Sequence, residues 1–243
     1  MAGFDDPAFF GDRWADVYDE RTTLDPAPAV EFLAGLAGDG RVLELAIGTG
    51  RVALPLAARG IDVEGIEAAE AMVRRLRAKP RGEEIAVAIG DMADVPTQGP
   101  FRLVYLVFNT LFNLPSADRQ ADCFRNVARV LEADGAFVLE CFVPDVARYD
   151  RGQRVEALAV TEDAATIEVV RHDAAAQRVM TQKITFDSEG IRLHPVALRY
   201  CWPSELDLMA AQAGLRLRAR YADWDRRPFG FDSAGHVSVY EPG

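Results

Sequence analysis

The sequence of 243 residues lacks the features that mark membrane proteins and disulfide-bonded proteins. No apolar run approaches the roughly 20 residues that a membrane-spanning helix requires. The three cysteines (Cys123, Cys141 and Cys201) are odd in number and scattered, so they fit neither a disulfide framework nor a CxxC metal motif. Residues 1–14 carry acids where a signal peptide requires a basic start and a continuous apolar stretch. We therefore expect a reduced, cytoplasmic protein that holds no metal and does not enter a membrane.

Basic residues are also scarce relative to acids. Lys and Arg number 27 against 38 Asp and Glu, which gives a formal net charge of −11. An acidic chain repels phosphate backbones, and the sequence has no basic stripe that would offset this repulsion, which argues against nucleic acid as a partner. Apolar residues make up 49% of the chain and are enough for a sizeable core.

Strand-like and helix-like segments alternate through the first 142 residues. Short apolar runs that end near a glycine, an acid or an amide are separated by segments with apolar residues at helical spacing. This alternation predicts an α/β fold with a Rossmann-like, mostly parallel sheet that helices cover on both faces. The predicted strands span 41–46, 61–66, 85–89, 103–108 and 136–142, and the predicted helices span 51–59, 69–78 and 117–131.

The pattern changes between residues 145 and 200. Helical periodicity disappears there, and Met180, Ile184 and Phe186 share one face of a β-like segment that leads into a turn at 187–190. We predict an antiparallel meander of about four strands in this region.

The remainder of the chain returns to the α/β pattern. A helix begins near residue 203, where Ser204 can cap it and Asp207 follows three residues later. Two further strands, predicted at 215–221 and 236–240, bring the sheet to seven strands. We therefore predict one α/β domain, formed by residues 1–144 and 201–243, that carries the meander at 145–200 as an insertion.

A glycine-rich turn follows the first predicted strand. Gly48, Thr49 and Gly50 join this buried strand to a helix, and glycines at such a turn let backbone approach a ligand without a Cβ in the way. Glu67 ends the second strand, 19 residues after Gly48, where an acid can accept both ribose hydroxyls of an adenosine. A tight strand–helix turn and a surface acid would produce the same two features.

The ends of the third and fourth strands carry further polar groups. Asp91 follows the third strand, where it can accept a hydrogen bond from the exocyclic amine of adenine, and the backbone N–H of Met92 can reach the ring. Residues 108–113 (FNTLFN) follow the fourth strand, over the switch point at which α/β proteins bind ligands. Four adjacent strand ends that each present a glycine, an acid or an amide favour a ligand site over four coincidences.

These motifs resemble those of the class I S-adenosylmethionine (SAM) methyltransferases. VLELAIGTG at 42–50 is similar to the first motif of that family, GIEAAEAM at 65–72 to the second and GDMADV at 90–95 to the third. The resemblance extends over about residues 15–240. It is closer to a subgroup of bacterial small-molecule enzymes that includes the amino-sugar N-methyltransferases. They share an early Tyr-Asp pair, here Tyr18-Asp19, and an antiparallel insertion that forms a lid over the substrate.

The resemblance implies SAM as the cofactor and a role for each motif. The backbone from Ala46 to Gly50 would hold the methionine end, although the family usually has glycine where Ala46 stands. Glu67 would bind the ribose, Asp91 the adenine, and Tyr18 would close over the sulfonium. The implied cofactor-binding residues are Tyr18, Ala46, Gly48, Gly50, Glu67, Ala68, Met72, Asp91, Met92 and, through its backbone, Val107.

The side chains that act on the methyl acceptor are less clearly marked. The amino-sugar enzymes carry a histidine where Asn113 stands, so this chain differs from them at their acid–base candidate. His194 lies in the insertion, where it can face the substrate. Glu140, near the end of the fifth strand, either points into the pocket or is a buried, hydrogen-bonded carboxylate. We retain Tyr18, Asn113, Glu140 and His194 as the candidate catalytic residues.

Other cofactors and substrates match less well. Residues 48–53 also satisfy GxGxxA, the dinucleotide fingerprint, but Glu44 lies inside the preceding strand and Asp91 would have no role in a dehydrogenase. DNA amino-methylating enzymes have a Pro-Pro-aromatic tetrad after the fourth strand, where this chain has Asn-Thr-Leu-Phe. No cysteine follows a proline, as the nucleophile of cytosine C5 enzymes does.

We therefore expect a SAM-dependent methyltransferase that modifies a nitrogen of a small metabolite. An oxygen acceptor is the nearest alternative, because displacement from SAM mainly requires alignment, although a hydroxyl also benefits from a base. A relative that binds SAM without turnover and serves as an accessory subunit is a third hypothesis. The sequence leaves a homodimer open.

Overall fold

The computed structural model describes residues 5–22 and 24–243. The first four residues of the acidic opening segment lie outside the described residues. Within the described ranges, no helix has both the length and the apolar character required to cross a membrane. In the same part of the chain, no three His, Cys, Asp or Glu side chains are grouped so that they could hold a metal ion.

Seven strands of the described chain form the central sheet, as predicted. Five of them are parallel. The last of these seven strands pairs antiparallel with the fifth strand and also with the sixth, which forms one edge of the sheet. The strands are β1 (Val42–Leu45), β2 (Val63–Glu67), β3 (Ala86–Ile89), β4 (Phe101–Leu106), β5 (Leu131–Phe142), β10 (Leu215–Tyr221) and β11 (Gly235–Pro242). Their spatial order is β10-β11-β5-β4-β1-β2-β3.

The apolar sequences of the inner strands reflect burial on both faces of the sheet. Every residue of β1 is buried, and so is every residue of β4 except the second. The helices of the described chain are α1 (Phe9–Trp14), α2 (Tyr18–Arg21), α3 (Ala27–Ala37), α4 (Ala53–Ala58), α5 (Glu70–Arg77), α6 (Ala117–Val130) and α7 (Pro203–Gln212). Residues of α6 and α7 share one apolar cluster with the sheet, and residues of α3 and α4 share another.

Helices α1, α2 and α3 are additions to the predicted elements. Helix α3 has eleven residues, but Glu31 is its only charged residue, so it shows no clear alternation of apolar and polar faces. Helices α1 and α2 have six and four residues, which is too short for apolar periodicity to appear in the sequence. Tertiary packing determines the position of α1. A Cβ at Gly11 would lie 2.2 Å from the Cβ of Ala69, so glycine allows α1 to approach the start of α5 closely.

The predicted cap of α7 is wrong. The helix begins at Pro203 with Trp202 as its N-cap residue, and Ser204 lies within its first turn. Proline has a fixed φ and needs no N–H partner at the first helical position, so Pro203 determines where the helix begins. Asp207, the expected companion of Ser204, instead accepts a hydrogen bond from Arg220 at 2.6 Å.

The segment between β5 and α7 forms a separate antiparallel sheet, which confirms the predicted insertion. Its strands are β6 (Gln153–Val160), β7 (Ala165–Asp173), β8 (Arg178–Asp187) and β9 (Gly190–Arg199), and they pair in chain order. A turn connects Asp187 and Gly190 at the predicted position. We refer to β6–β9 as the inserted sheet.

Contacts at the middle and at the end of β9 help attach the inserted sheet to the rest of the protein. The Nε1 of Trp14 donates to the carbonyl oxygen of Pro195 at 3.2 Å, which connects α1 to the middle of β9. At the end of β9, buried Arg199 forms an ion pair with Glu205 at 2.6 Å. The side-chain amide of Gln120 donates a hydrogen bond to the carbonyl oxygen of Arg199 at 2.7 Å. β9 is thereby held between α1 and the pair formed by α6 and α7.

A glycine in β2 allows the loop after β1 to pack on the sheet. A Cβ at Gly65 would lie 2.5 Å from the Cδ1 of Ile47 and 2.9 Å from its Cβ. Gly35 differs, because it is exposed on α3 and nothing lies within 4 Å of the position that its Cβ would take. The same substitution should therefore have opposite effects at these two glycines.

We expect Gly65→Ala to lower the free energy of unfolding by about 1–3 kcal/mol, because the added methyl group overpacks a buried contact. Gly35→Ala should raise it by about 0.5–1 kcal/mol, since alanine is favoured over glycine within a helix. Denaturant unfolding of both variants measures these changes. Equal effects at the two positions would contradict the packing of Ile47 on β2.

Candidate functional site

A cavity of about 370 Å³ lies where the parallel strands end. Residues that follow β1, β2, β3 and β4 form one wall, among them Gly48, Glu67, Asp91 and Asn109. Residues of α1 and of β9 at positions 195–198 form another wall. This is the edge of the sheet at which α/β proteins bind ligands.

The loop after β1 presents backbone to the cavity. Ala46, Gly48 and Gly50 have positive φ angles of 52°, 56° and 77°, a region that glycine adopts without strain. Alanine at position 46 is the more strained choice, which gives a physical reason for the glycine that the resembled family carries there. Gly50 is not among the described residues that line the cavity. A Cβ at Gly50 would lie 2.3 Å from the Cδ1 of Leu76, so this glycine allows close packing against α5.

Glu67 connects this loop to the end of β2. Its Oε2 accepts a hydrogen bond from the N–H of Gly48 and its Oε1 accepts one from the N–H of Ala69, both at 2.9 Å. Burial raises the pKa of Glu67, and the two N–H groups partly offset this rise by stabilising the carboxylate. Glu67 also lines the cavity, and its remaining lone pairs can accept hydroxyl hydrogens, as the predicted ribose contact requires.

Asp91 is held by two donors. Its Oδ1 accepts a hydrogen bond from the N–H of Ala93 at 2.8 Å, and its Oδ2 accepts one from Arg119 at 2.7 Å. Arg119 also pairs with Asp94 at 2.9 Å, and it lines the cavity together with Asp91. The sequence analysis missed Arg119, because it lies 28 residues from Asp91 in the first turn of α6 and only the fold brings the two together.

Tyr18 reaches the cavity from α2, and its neighbour Asp19 anchors that helix to the glycine loop. The Oδ1 of Asp19 accepts a hydrogen bond from the hydroxyl of Thr49 at 2.6 Å, and its Oδ2 pairs with Lys79 at 2.8 Å. Lys79 also donates to the carbonyl oxygen of Thr49 at 2.9 Å. Burial raises the pKa of Tyr18, which keeps its hydroxyl protonated at neutral pH.

A small extension of about 30 Å³ adjoins the cavity and shares Tyr18 and Gly48 with it. Arg51 lines this extension, with its guanidinium carbon 3.2 Å from the centroid of the Phe108 ring. The Nε and Nη2 atoms of Arg51 are buried and have no hydrogen-bond partner among the described residues. Arg51 is half-buried and its Nη1 donates to the carbonyl oxygen of Leu24 at 3.2 Å, so the buried Nε and Nη2 are the donors that remain available to bind an anion.

Glu44 also lines the extension but does not supply that anion. It lies in β1, is buried, and accepts a hydrogen bond from the hydroxyl of Tyr105 at 2.8 Å. Burial raises the pKa of Glu44 to about 8, while the Tyr105 hydrogen bond and the charge of Arg51 act in the opposite direction. Glu44 is therefore largely protonated at neutral pH.

Glu140 is a hydrogen-bonded carboxylate, as in the second alternative considered for it, but it is half-buried and not buried. Its Oε2 accepts a hydrogen bond from the N–H of Phe108 at 2.8 Å, and its Oε1 accepts one from the indole of Trp224 at 3.0 Å. It is not among the described residues that line the cavity. The carboxylate instead fixes the backbone where the chain leaves β4.

His194 also lies outside the described cavity lining. It is buried beside Trp14, with 5.0 Å between the two ring centroids, and its Nδ1 has no hydrogen-bond partner among the described residues. Burial lowers the pKa of His194, so the ring is neutral at pH 7. Unlike Glu140 and His194, Asn113 lines the cavity, and it belongs to the short helical turn Thr110–Asn113.

The cavity thus brings most of the predicted site residues together. Those that line it are Tyr18, Ala46, Gly48, Glu67, Ala68, Met72, Asp91, Met92 and Asn113. Val107 lines the small extension, and Gly50, Glu140 and His194 line neither. Arg51 and Asn109 were not among the predicted site residues. Arg51 directly follows the glycine loop, and Asn109 belongs to the segment 108–113 that was expected over the switch point.

Known proteins resemble this chain over nearly its whole length. A family model described as a methyltransferase domain matches residues 42–135. The structure of the CcbJ methyltransferase from Streptomyces caelestis is 41% identical, with a TM-score of 0.89 and coverage of 96% of this chain and 98% of that one. The cypemycin N-terminal methyltransferase of a Streptomyces species is 23% identical over 242 residues, which cover 97% of this chain and 98% of that protein.

A structure with bound SAM gives a further comparison. CalS10, an amino pentose methyltransferase from Micromonospora echinaspora, is 22% identical and has a TM-score of 0.69. The match covers 94% of this chain and 95% of CalS10. At this level of identity the likeness concerns the fold alone.

The raised pKa of Glu44 predicts that the stability of the protein falls as the pH rises toward 8. The folded protein holds the proton of Glu44 up to about pH 8, whereas the unfolded chain releases it near the ordinary value of 4.5, so rising pH favours unfolding. We expect the melting temperature to fall between about pH 6.5 and pH 8 and to fall less in Glu44→Gln, which keeps an acceptor for Tyr105. Glu31→Gln, an exposed control on α3, should retain the wild-type slope. Equal slopes in all three proteins would contradict a protonated Glu44.

Proposed function

Because the chain belongs to the class I SAM-dependent methyltransferases, we propose that it transfers the methyl group of SAM to a nitrogen atom of a small molecule. The observation that carries the choice of nitrogen is the chemistry of the cavity wall after β4. Asn109, Thr110 and Asn113 line it, and these uncharged side chains can align an acceptor but do not take up a proton at neutral pH. A neutral amine needs no base, whereas a hydroxyl benefits from one.

The names of two distant relatives, 23% and 22% identical to this chain, agree with the same choice. One is named for methylation at an N-terminus and the other for an amino pentose, so an amine is part of both substrates. An oxygen acceptor and a SAM-binding accessory role are the alternatives that experiment must exclude.

The residues of the cavity fit SAM. The positive φ of Gly48 leaves its backbone open to the cavity, Glu67 and Asp91 present carboxylates at the ends of β2 and β3, and Arg51 has buried donors without partners. Glu67 would hold the ribose, Asp91 the adenine amine, and Arg51 together with the glycine loop the carboxylate of the methionine end. Bound SAM supplies a methyl group that its cationic sulfur already activates.

The protein's contribution is then mainly alignment. Asp19 fixes α2 to the glycine loop, so Tyr18 is held at the cavity with a protonated hydroxyl. An in-line displacement gains most of its rate from holding the two reacting groups at contact distance and in the correct orientation. We assign this positioning to Tyr18 on one side and to the turn Thr110–Asn113 on the other.

We further propose that the insertion at 145–200 is a lid over the acceptor. Its last strand, β9, contributes Pro195, Val196, Ala197 and Leu198 to the cavity wall. A wall of this kind excludes water from the reacting groups and encloses the acceptor.

The assignment of Arg51 to the methionine end can be tested by ligand binding. S-adenosylhomocysteine contains the methionine-end carboxylate and 5′-methylthioadenosine lacks it, so Arg51→Met should weaken binding of the former only. A lost charge-assisted hydrogen bond of ~1.5–3 kcal/mol corresponds to a roughly tenfold to hundredfold rise in Kd. Calorimetry with both ligands measures this change. The control is Arg59→Met, which removes an exposed arginine paired with Glu31. A similar loss of affinity for both ligands would contradict the assignment.

The proposed transfer to nitrogen can be tested by product analysis and by the dependence of the rate on pH. With SAM and a panel of amines and matched alcohols, mass spectrometry should show products that carry an additional methyl group on nitrogen. The rate should rise with pH until the free amine predominates, because the amine loses its proton in solution. His194→Ala should cost less than about tenfold in kcat, below the ~10²–10⁴ attributed to a general base.

Two outcomes would support the alternatives. A hundredfold loss of kcat in His194→Ala with unchanged binding of S-adenosylhomocysteine would indicate a hydroxyl acceptor and a dedicated base. Tight binding of S-adenosylhomocysteine without methyl transfer to any acceptor would indicate an accessory protein.

A further inference from the structure

The chain leaves β4 through two consecutive residues in the left-handed region of backbone conformation. Phe108 has a φ of 57° and Asn109 a φ of 62°. Asparagine tolerates this region, but a bulky aromatic residue does not adopt it without strain. Other contacts must therefore hold this turn in place.

Hydrogen bonds from β5 supply that support. The carboxylate of Glu140 accepts from the N–H of Phe108 at 2.8 Å, and the carbonyl oxygen of Glu140 accepts from the N–H of Asn109 at 3.1 Å. Two residues further along β5, the N–H of Phe142 donates to the Oδ1 of Asn109 at 2.5 Å. Backbone and side chain of Asn109 are thus both fixed to β5.

This arrangement also determines how the amide of Asn109 is oriented. A backbone N–H can only donate, so the atom that faces Phe142 must be the amide oxygen and not the nitrogen. The Nδ2 of Asn109 makes no hydrogen bond to the described part of the chain, and Asn109 lines the cavity. The hydrogen-bonding capacity that Asn109 retains for a ligand is therefore mainly that of a donor.

We propose that the Nδ2 of Asn109 donates a hydrogen bond to an oxygen atom of the methyl acceptor, and that the acceptor is consequently an amine with a hydrogen-bond-accepting oxygen close to its nitrogen. The inference rests on the proposed transfer to nitrogen. Asn109 lies on the same wall as Thr110 and Asn113, on the side of the cavity away from the residues that follow β2 and β3. The oxygen can belong to a carbonyl or to a hydroxyl group, since either accepts from an amide N–H.

Matched amines test this inference directly. Binding to the complex of the protein with S-adenosylhomocysteine is measured by ligand-observed NMR for 2-aminocyclohexanol against cyclohexylamine and for alaninamide against 3-methyl-2-butylamine. In at least one pair the oxygen-bearing amine should bind about threefold to tenfold more tightly, the ratio expected from one net hydrogen bond. The pair that shows the preference distinguishes a hydroxyl from a carbonyl.

Two variants connect the preference to Asn109. Asn109→Asp keeps an oxygen for the N–H of Phe142 but removes the donor, and Asn109→Gly suits the positive φ without any side chain. Both should abolish the preference within the pair while leaving the Kd of S-adenosylhomocysteine within about twofold of wild type. The new carboxylate in Asn109→Asp attracts both amines of a pair, so this attraction cancels in the ratio of their two Kd values. Gln212→Glu, which adds the same charge at an exposed site on α7, should keep the wild-type ratio.

Three results would overturn the inference. They are equal binding or no binding of both members in each pair by the wild-type complex, an unchanged preference in both variants, and a loss of affinity for S-adenosylhomocysteine in both variants. Failure of the proposed function would look different, because methyl transfer to nitrogen would then be absent from the mass spectra whatever the binding preference.

Discussion

The buried carboxylate of Glu67 is the interaction on which the cofactor side of the cavity depends. It accepts one hydrogen bond from the loop after β1, at Gly48, and one from the start of α5, at Ala69. Without these donors a buried carboxylate would be costly, and without the carboxylate two backbone N–H groups would lack partners. The start of α5 also determines the position of α1, because Gly11 of α1 packs against Ala69. One side chain therefore fixes the relative positions of the glycine loop, β2, α5 and, through α5, the N-terminal helix.

The fold could be predicted largely because its signals are local. Alternating strands and helices, nearly continuous apolar runs in β1 and β4, and the loss of helical periodicity after residue 144 each follow from burial along a single element. The predictions of the fold that failed or were missing concern details that apolar periodicity does not encode. Ser204 has the residue type of a cap, but Pro203 starts the helix one residue earlier, and α1 and α2 are too short to carry a pattern of their own.

In the candidate site, too, some features could be predicted from the sequence and others could not. The residues predicted to bind SAM follow directly from strand ends, and strand ends of a parallel sheet meet at one edge, so spacing alone placed Gly48, Glu67 and Asp91 together. Side-chain direction could not be predicted. Glu140 turns toward Phe108 and Trp224, and His194 packs beside Trp14, because each orientation depends on an element that is more than 30 residues away. Their proposed roles in proton transfer relied on residue type without knowledge of these neighbours.

Three acids of the central sheet show why residue type alone is a weak guide here. Glu44 is largely protonated within the sheet, Glu67 holds the glycine loop, and Glu140 holds the strained turn after β4. The last two each accept a hydrogen bond from backbone that borders the cavity, so their effect on a ligand is exerted through the position of that backbone. An acid committed to two donors is a poor base, because proton uptake would break the hydrogen bonds that fix the site. Glu67 and Glu140 thus hold backbone at the cavity in place, and the proposed chemistry, in which alignment matters more than proton removal, is consistent with that use of acids.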